Sequence, residues 1–252
     1  EQYRGLTYTW GRLDHPEETP FQVAPGVWWL RFTMPGPLNH INLWLLEDGD
    51  GWTIVDTCLN LETAKAQWES LFDGFMGGKP VKRVICTHMH PDHIGLAGWL
   101  CERFACDLYM TQAEFLTGSL IMGYTGEQAP PAAISFYHRA GFSTNQLDNY
   151  RERFGGFGQF TTPLPHNYQR LTDRQTLAIG GRYWQIVVGE GHSPEHACLY
   201  CPALQLVIAG DQILPRITPN VSVFPTEPDG NPLEAWLASS TRLLSMLPEA
   251  LL

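Results

Sequence analysis

Apolar residues in the amino-terminal half of the chain gather in short runs that predict β-strands. The runs are rich in β-branched and aromatic residues and are bounded by glycine, proline and aspartate, as is typical of strands joined by turns. Asp48-Gly49-Asp50-Gly51 separates two of them and predicts a tight hairpin. The predicted strands cover 28–32, 41–46, 52–55, 81–86 and 107–110.

A second pattern, with apolar residues three or four positions apart, predicts helices between these strands. It is clear over 94–104, directly after the strand at 81–86. Asn60 is expected to cap a helix that extends to Phe72. Thr111-x-x-Glu114 has the spacing of a capping box and predicts the start of a further helix.

The carboxyl-terminal half repeats the strand-rich pattern, with apolar runs at 183–188 and 204–208, and then predicts a helix over 232–246 with proline at its first position. Two groups of strands, each followed by helices, indicate two sheets packed face to face. We therefore predict an α/β fold, a four-layer αββα sandwich of two mixed β-sheets with helices outside. The whole chain, 1–252, is expected to form one domain.

The segment at about 112–170 is predicted to be a helical insert. It contains proline and glycine clusters and many aromatic residues, with helices expected at 132–140 and 145–154. The aromatic side chains either cover a cleft as a substrate lid or, as we favour for any single one of them, pack a small helical core. His166 and Tyr168, near the end of the segment, are weak candidates for substrate contacts.

The main chemical feature is the loop between the strand at 81–86 and the helix that follows it. Within Thr87-His88-Met89-His90-Pro91-Asp92-His93, His88, His90, Asp92 and His93 offer imidazole nitrogens and a carboxylate to a metal. This mixture of ligands suits zinc, iron or manganese better than calcium or magnesium. A polar loop whose histidines bond only to backbone is the simpler alternative.

Composition narrows the classes of partner. Sixteen Lys and Arg against 26 Asp and Glu leave a net charge of −10, which disfavours a phosphate-binding surface and makes a nucleic-acid partner a minor hypothesis. No apolar run reaches the roughly 18 residues that span a bilayer, and we expect neither a membrane anchor nor a leader. A small-molecule substrate is the expected partner, and the sequence leaves the oligomeric state open.

The cysteines do not form a disulfide pattern of the secreted kind, so a cytoplasmic location is expected. Cys198 and Cys201 have C-x-x-C spacing, but their side chains should point to opposite faces of a strand and share no metal. Cys58 and Cys86 are expected to be small apolar packing residues.

Four motifs together resemble the metallo-β-lactamase fold superfamily. The His-x-His-x-Asp-His loop at 88–93 is followed by Gly191-His192-Ser193-Pro194-Glu195-His196 after one apolar strand and by Ala209-Gly210-Asp211 after another. Ile54-Val55-Asp56-Thr57 matches an earlier family motif. The resemblance extends from about Val27 to Asp211 and is specific for the fold, though not for one reaction.

The resemblance implies a dinuclear site with one or two zinc ions, although iron or manganese also fits the ligands. His88, His90 and His192 would hold the first metal, Asp92 and His93 the second, and Asp211 would bridge them. Asp56 would accept a hydrogen bond from a ligand imidazole and fix its tautomer. The alternative for Asp56 is a cap of the helix near Asn60.

The chain departs from the family pattern at three places. Cys58 and Glu195 occupy positions where the family usually has glycine, and Glu195 would be strained if its φ had to be positive. His196 is expected to be structural. The family's last ligand to the second metal, a histidine after a final strand, has no match, and we expect it beyond Leu252 in a longer chain. The second site should then be the weaker one.

The predicted function is metal-dependent hydrolysis of an ester-like bond, with a thioester favoured by the low positive charge and the aromatic insert. Metal-bound hydroxide would be the nucleophile and Asp92 would orient it or accept its proton. The main alternative is an oxidative enzyme resembling persulfide dioxygenases, with one iron on His88, His192 and Asp211. A nuclease of the same fold and a non-catalytic member of it are further alternatives.

Overall fold

The computed structural model of the protein describes residues 2–3, 6–10 and 19–246. Near the amino end, β1 (Gln2–Tyr3) and β2 (Leu6–Thr7) pair as a short antiparallel ribbon. The other described strands form two sheets, one of seven strands and one of four.

The larger sheet follows the order of the chain from β3 to β9. Its strands are β3 (Phe21–Ala24), β4 (Val27–Thr33), β5 (His40–Asp48), β6 (Gly51–Val55), β7 (Val81–Ile85), β8 (Asp107–Thr111) and β9 (Gln169–Leu171). Neighbours from β3 to β6 are antiparallel, and those from β6 to β9 are parallel. Asp48 pairs with Gly51 across the turn between β5 and β6, which confirms the predicted hairpin.

The smaller sheet contains β10 (Thr176–Ile179), β11 (Arg182–Gly189), β12 (His196–Cys201) and β13 (Leu206–Ile208). All of its described pairings are antiparallel, so only the larger sheet is mixed, whereas the sequence analysis expected two mixed sheets. Consecutive strands joined by short turns allow no parallel pairing here, because a parallel pair requires a long crossover.

The helices lie outside the two sheets and complete four layers. They are α1 (Glu62–Asp73), α2 (Pro91–Ile94), α3 (Ala97–Phe104), α4 (Gln112–Gly123), α5 (Pro131–Arg139), α6 (Thr144–Arg153) and α7 (Pro232–Met246). One buried cluster joins α1 and α3 to the larger sheet, a second joins the two sheets, and a third joins the smaller sheet to Leu243 of α7. The predicted α/β sandwich is therefore confirmed.

The helix predicted over 94–104 is interrupted at Gly95 and Leu96. The Leu96 amide donates to the Thr57 hydroxyl at 3.1 Å instead of continuing a helix. A Cβ on Gly95 would lie 2.5 Å from the carbonyl oxygens of Cys58 and Pro91. The break lets the loop at 87–93, here called the metal loop, pack closely on the segment after β6. This is a long-range contact that local periodicity does not encode.

The predicted cap of α1 and the predicted capping box of α4 are wrong, although α4 does begin directly after Thr111. The residue that caps α1 is Leu61, without a side-chain hydrogen bond, so Asn60 is not the cap. Thr111 precedes α4, but its hydroxyl donates to the carbonyl of Glu195 at 2.8 Å and forms no capping box with Glu114. Both Thr111 and Glu114 form hydrogen bonds with the backbone of Glu195, in the loop after β11.

The segment between α4 and β9 contains α5, α6 and a 3-10 helix at Gly156–Phe160. Tyr137 packs against Phe142 and Tyr150 with ring centroids 4.8 and 4.7 Å apart. Tyr124 also packs against Phe154, at 5.4 Å. These contacts favour the small helical core over a lid for these side chains, while the description of the segment as an insert stays a prediction.

No described helix has both the length and the apolar composition needed to cross a bilayer; the longest, α7, has 15 residues.

The ends of the strands determine where polar side chains can come together. Asp56 follows β6, Thr87 follows β7 and Asp211 comes shortly after β13. Residues just beyond strand ends at one edge of the sandwich lie near each other, as ligand-binding residues commonly do in layered α/β folds.

Candidate metal centre

The loop after β7 delivers its histidines through a sharp change of direction. The backbone at His90 is extended (φ −64°, ψ 147°), and Pro91 then starts the one-turn helix α2. His88 and His93 are buried, with 0% and 1% of their surface exposed. Proline is well placed because the first helical residue needs no backbone donor.

Three imidazole nitrogens converge at the centre of the site. Nε2 of His88 lies 2.9 Å from Nδ1 of His90 and 3.2 Å from Nε2 of His192. Nδ1 of His90 lies 3.1 Å from Nε2 of His192. The structure thus brings together residues that are 104 positions apart in the chain, in the grouping expected for the first metal.

Hydrogen bonding among the three rings alone does not account for this triangle. A ring nitrogen carries either a proton or one in-plane lone pair, so three such atoms cannot satisfy one another along three edges. Nδ1 of His192 donates to the carbonyl of Asn220 at 2.8 Å, which leaves the Nε2 lone pair facing the centre. Nitrogens bound tetrahedrally to zinc at about 2.0–2.1 Å would lie roughly 3.3 Å apart. The residues present therefore fit a metal ion.

A second group of ligand atoms adjoins the first and includes His88, His93 and Asp211, all within 4.8 Å of one another. Nε2 of His93 is buried and has no hydrogen-bond partner among the residues that the structure describes. It lies 3.5 Å from Oδ1 of Asp211 and 3.6 Å from Oδ2 of Asp92. An orphaned buried nitrogen is costly, and carboxylates on two sides of it fit a second cation.

Asp211 lies between the two groups, with its second oxygen 3.7 Å from Nε2 of His192. Its backbone amide donates to Nε2 of His196 at 3.1 Å. Gly210 precedes it at φ +49°, and a Cβ there would come within 2.6 Å of the same His196 nitrogen. His196 thus supports the backbone beside Asp211, in line with the structural role expected for it.

Asp56 holds the metal loop in place through hydrogen bonds to Thr87 and His93. Its carboxylate accepts hydrogen bonds from the Thr87 amide at 2.8 Å and from the Thr87 hydroxyl at 2.9 Å. It also accepts one from Nδ1 of His93 at 2.8 Å. Because the Thr87 hydroxyl donates to Asp56, it can accept from Nδ1 of His88, 3.0 Å away. Both imidazoles therefore turn Nε2 toward the centre.

Burial and neighbouring charge set the protonation of the site. Burial, together with His192 and His93, lowers the pKa of His90 to about 3, and burial likewise lowers the pKa of His192. Burial also disfavours charge on His93, but Asp56, Asp92 and Asp211 outweigh it and raise the pKa of that imidazole. Neutral histidines in the first group have the free lone pairs that metal binding requires.

Asp92 and Asp211 are shifted in opposite directions. Burial raises the pKa of Asp92 although His93 opposes it. Burial also acts to raise the pKa of Asp211, but the interaction with His93, followed by that with His192, holds it below its ordinary value. Two carboxylates with separated pKa values suit different roles, one as a permanent anion and one as a group that exchanges protons.

The sequence analysis missed Glu114 as a residue of this region. Its fully buried carboxylate accepts hydrogen bonds from the Met89 amide at 2.9 Å, the Ser193 hydroxyl at 2.6 Å and the Glu195 amide at 2.8 Å. Burial raises the pKa of Glu114 to about 7. The spacing from Thr111 suggested a helix cap, and no local pattern identified the partners.

The two positions where the family usually has glycine differ in backbone conformation. Cys58 has φ +74°, a conformation that favours glycine, while Glu195 is not among the residues with positive φ. The Glu195 carboxylate instead accepts from the Ala113 amide at 2.9 Å and so caps α4.

The side chains of Cys198 and Cys201 lie on opposite faces of β12, as expected. Cys198 packs toward α7, and Cys201 packs toward the larger sheet.

Neither weak substrate candidate belongs to the described groups of possible metal ligands. Tyr168 stacks on Phe115 with ring centroids 4.0 Å apart and packs against the core of the larger sheet. His166 is exposed. Their contact with substrate stays a prediction.

Fold and site together define a metal-site protein built on a two-sheet αββα sandwich, and comparison with known proteins identifies the family. The sequence model of the metallo-β-lactamase superfamily matches residues 36–252. The chain belongs to this superfamily.

Individual relatives agree with that assignment. The chain is 27% identical over 191 residues to the probable metallo-hydrolase YybB of Bacillus subtilis, an alignment that covers 75% of this chain and 70% of the relative. A crystal structure of a β-lactamase domain protein from Burkholderia ambifaria matches with a TM-score of 0.85 and 40% identity, over 97% of this chain and 70% of that one. A metallo-β-lactamase family protein from Thermus thermophilus matches with a TM-score of 0.74 and 28% identity, over 89% of this chain and 71% of that one.

Proposed function

We propose that the protein is a metal-dependent hydrolase that cleaves an ester-like bond in a small molecule, with thioesters as the leading substrate class. The observation that carries the proposal is the convergence of His88, His90 and His192 next to His93 and Asp211. When bound, the metal would supply Lewis acidity and a hydroxide nucleophile at neutral pH. Hydrolysis adds water across the bond and releases an acid together with a thiol or an alcohol.

The residues of the chain divide the remaining work. His88, His90 and His192 would hold the first metal, and Asp92 and His93 the second, with Asp211 shared between them. Asp92 is the side chain placed to hold or move a proton, because its carboxylate is partly exposed while that of Asp56 is fully engaged. The rings of His88 and His93 keep their orientation through Asp56 and Thr87.

Apolar surface beside the site supports a substrate with an apolar part. The carbonyl of Asn220 holds His192, and Ile217, Val223 and Phe224 on the same loop are 54%, 39% and 44% exposed. The net charge of −10 argues against a polyanionic substrate such as a nucleic acid. The six free cysteines support a reducing, cytoplasmic setting as part of the proposal.

A second candidate, an iron-dependent persulfide dioxygenase, uses an overlapping set of ligands. Nε2 of His88 and of His192 lie 3.2 Å apart, and Asp211 approaches His192 to 3.7 Å, so two imidazoles and one carboxylate converge as such an iron site requires. We rank it second because His90 and His93 would then have no role.

Metal analysis combined with a substrate panel separates the two. Protein produced with zinc and iron both available is assayed on thioesters, lactones, phosphodiesters and a persulfide. We expect zinc or mixed metal and hydrolysis of a thioester. One iron per chain with oxygen uptake on the persulfide would support the dioxygenase, and absence of turnover on every substrate would refute both.

A further inference from the structure

Glu114 is a buried carboxylate that the hydrolytic mechanism does not use, and each of its partners is a donor. The Met89 amide donates to Oε2 at 2.9 Å, while the Ser193 hydroxyl and the Glu195 amide donate to Oε1 at 2.6 and 2.8 Å. A buried polar group whose partners are all satisfied makes the surrounding structure rigid. An uncharged amide in its place would present a donor to at least one of these groups.

The partners of Glu114 belong to two different loops of the metal centre. Met89 lies between His88 and His90, and Ser193 directly follows His192. These partners are 25 and 79 positions from Glu114. One carboxylate, which is not itself a candidate metal ligand, therefore joins the loop after β7 to the turn after β11.

The helix that carries Glu114 is fixed against both loops. Gly118, one turn further along α4, packs on the loop after β7, since an added Cβ would lie in contact with Cβ of Met89 at 3.4 Å. At the start of α4, the Ala113 amide donates to the side chain of Glu195, and the Thr111 hydroxyl donates to its carbonyl. Little free movement remains for the carboxylate relative to its partners.

We propose that Glu114 is a positioning residue that holds His192 against His88 and His90 and thereby gives the first site its geometry. Glu114 acts through the Met89 and Ser193 neighbours of the ligands, since its own carboxylate is occupied by three donors. As far as it concerns a bound metal, the proposal rests on the proposed function.

The test replaces Glu114 by glutamine, which keeps its size. Glu114→Gln is compared with Asp48→Asn, the same carboxylate-to-amide change at a buried residue that accepts from Thr53, Gly180 and the Arg83 guanidinium outside the site. Affinity for Co²⁺ is measured by competition with a chelator, and the visible spectrum of the Co²⁺ form reports the ligand geometry. Ser193→Ala, which removes one donor only, is the second variant should Glu114→Gln not fold.

We expect Glu114→Gln to weaken Co²⁺ binding about tenfold to a hundredfold, the usual effect of losing a supporting partner, and to change the spectrum. Ser193→Ala should act in the same direction to a smaller extent, and Asp48→Asn should lower thermal stability without altering affinity or spectrum. Unchanged Co²⁺ binding in Glu114→Gln, or an equal change in Asp48→Asn, would overturn the proposal.

Hydrogen exchange in the metal-free proteins distinguishes failure of the proposed function from failure of the positioning role of Glu114. If the wild type binds no metal, the hydrolase proposal falls, but the Met89 and Glu195 amides still report on Glu114. Exchange of these amides at least tenfold faster in Glu114→Gln than in the wild type and Asp48→Asn supports the positioning role, and equal exchange overturns it.

Discussion

The buried carboxylate of Asp56 accepts a hydrogen bond from Nδ1 of His93 at 2.8 Å, although the two residues are 37 positions apart. This contact holds a proton of the imidazole on Nδ1 and directs Nε2 into the site, where that atom has no hydrogen-bond partner within the described protein. A tautomer selected in this way is what a metal-binding histidine requires.

Asp56→Asn should therefore weaken binding at the position beside His93. The amide keeps one acceptor but turns a donor toward His93 or Thr87, so the tautomer is no longer enforced. We expect a loss of about tenfold to a hundredfold in metal affinity, measured by competition with a chromophoric chelator. Asp48→Asn is the control, and equal losses in both variants would attribute the effect to general destabilisation.

Asp211 should couple metal content to activity. Asp211→Ala removes a carboxylate that lies near both His93 and His192, and we expect metal and turnover to be lost together. Asp211→Glu keeps the charge on a longer side chain, so it should retain metal but lose most activity. The exposed Asp229→Ala is the control, and full activity in Asp211→Ala would refute the assignment.

Gly210 should tolerate no side chain. Its φ of +49° and the 2.6 Å approach of an added Cβ to His196 combine strain with a clash, so Gly210→Ala should cost well over the ~1 kcal/mol of an incompatible glycine site. Gly126→Ala is the control, because at φ +83° with no atom within 4 Å of an added Cβ it introduces backbone strain without a clash. Urea unfolding should show a larger loss for Gly210→Ala, and equal losses would contradict the clash.

Protonation of His90 should destabilise the metal-free protein in acid. Its pKa is lowered to about 3 in the folded state from the ordinary value of 6.5, so the unfolded chain takes up the proton first and folding is weakened as the pH falls below 6.5. The stability advantage of wild type over His90→Gln should accordingly shrink between pH 7.5 and pH 5, as measured by urea unfolding. The exposed His138→Gln is the control for loss of a histidine outside the site, and a constant advantage over His90→Gln would contradict the shift.

Local patterns in the sequence predicted most strands of the larger sheet and the cluster of possible ligands after β7, whereas His192 and Asp211 were added to that cluster only through the resemblance to the family. Strand periodicity identified β4 to β8, and the ligands at 88–93 are contiguous in the chain. Glu114 could not be found in this way, since its nearest partner is 25 positions away and its spacing from Thr111 imitates a helix cap. Gly95 was missed for a similar reason, because the carbonyls that crowd it come from other segments.

The most direct test of the account is the X-ray absorption spectrum of the protein loaded with one equivalent of zinc. Three imidazoles from His88, His90 and His192 should produce nitrogen scattering at about 2.0–2.1 Å with the outer-shell pattern of histidine. His192→Gln should lower the number of histidines by one. A spectrum with one histidine or none in the wild type would contradict the proposed metal centre.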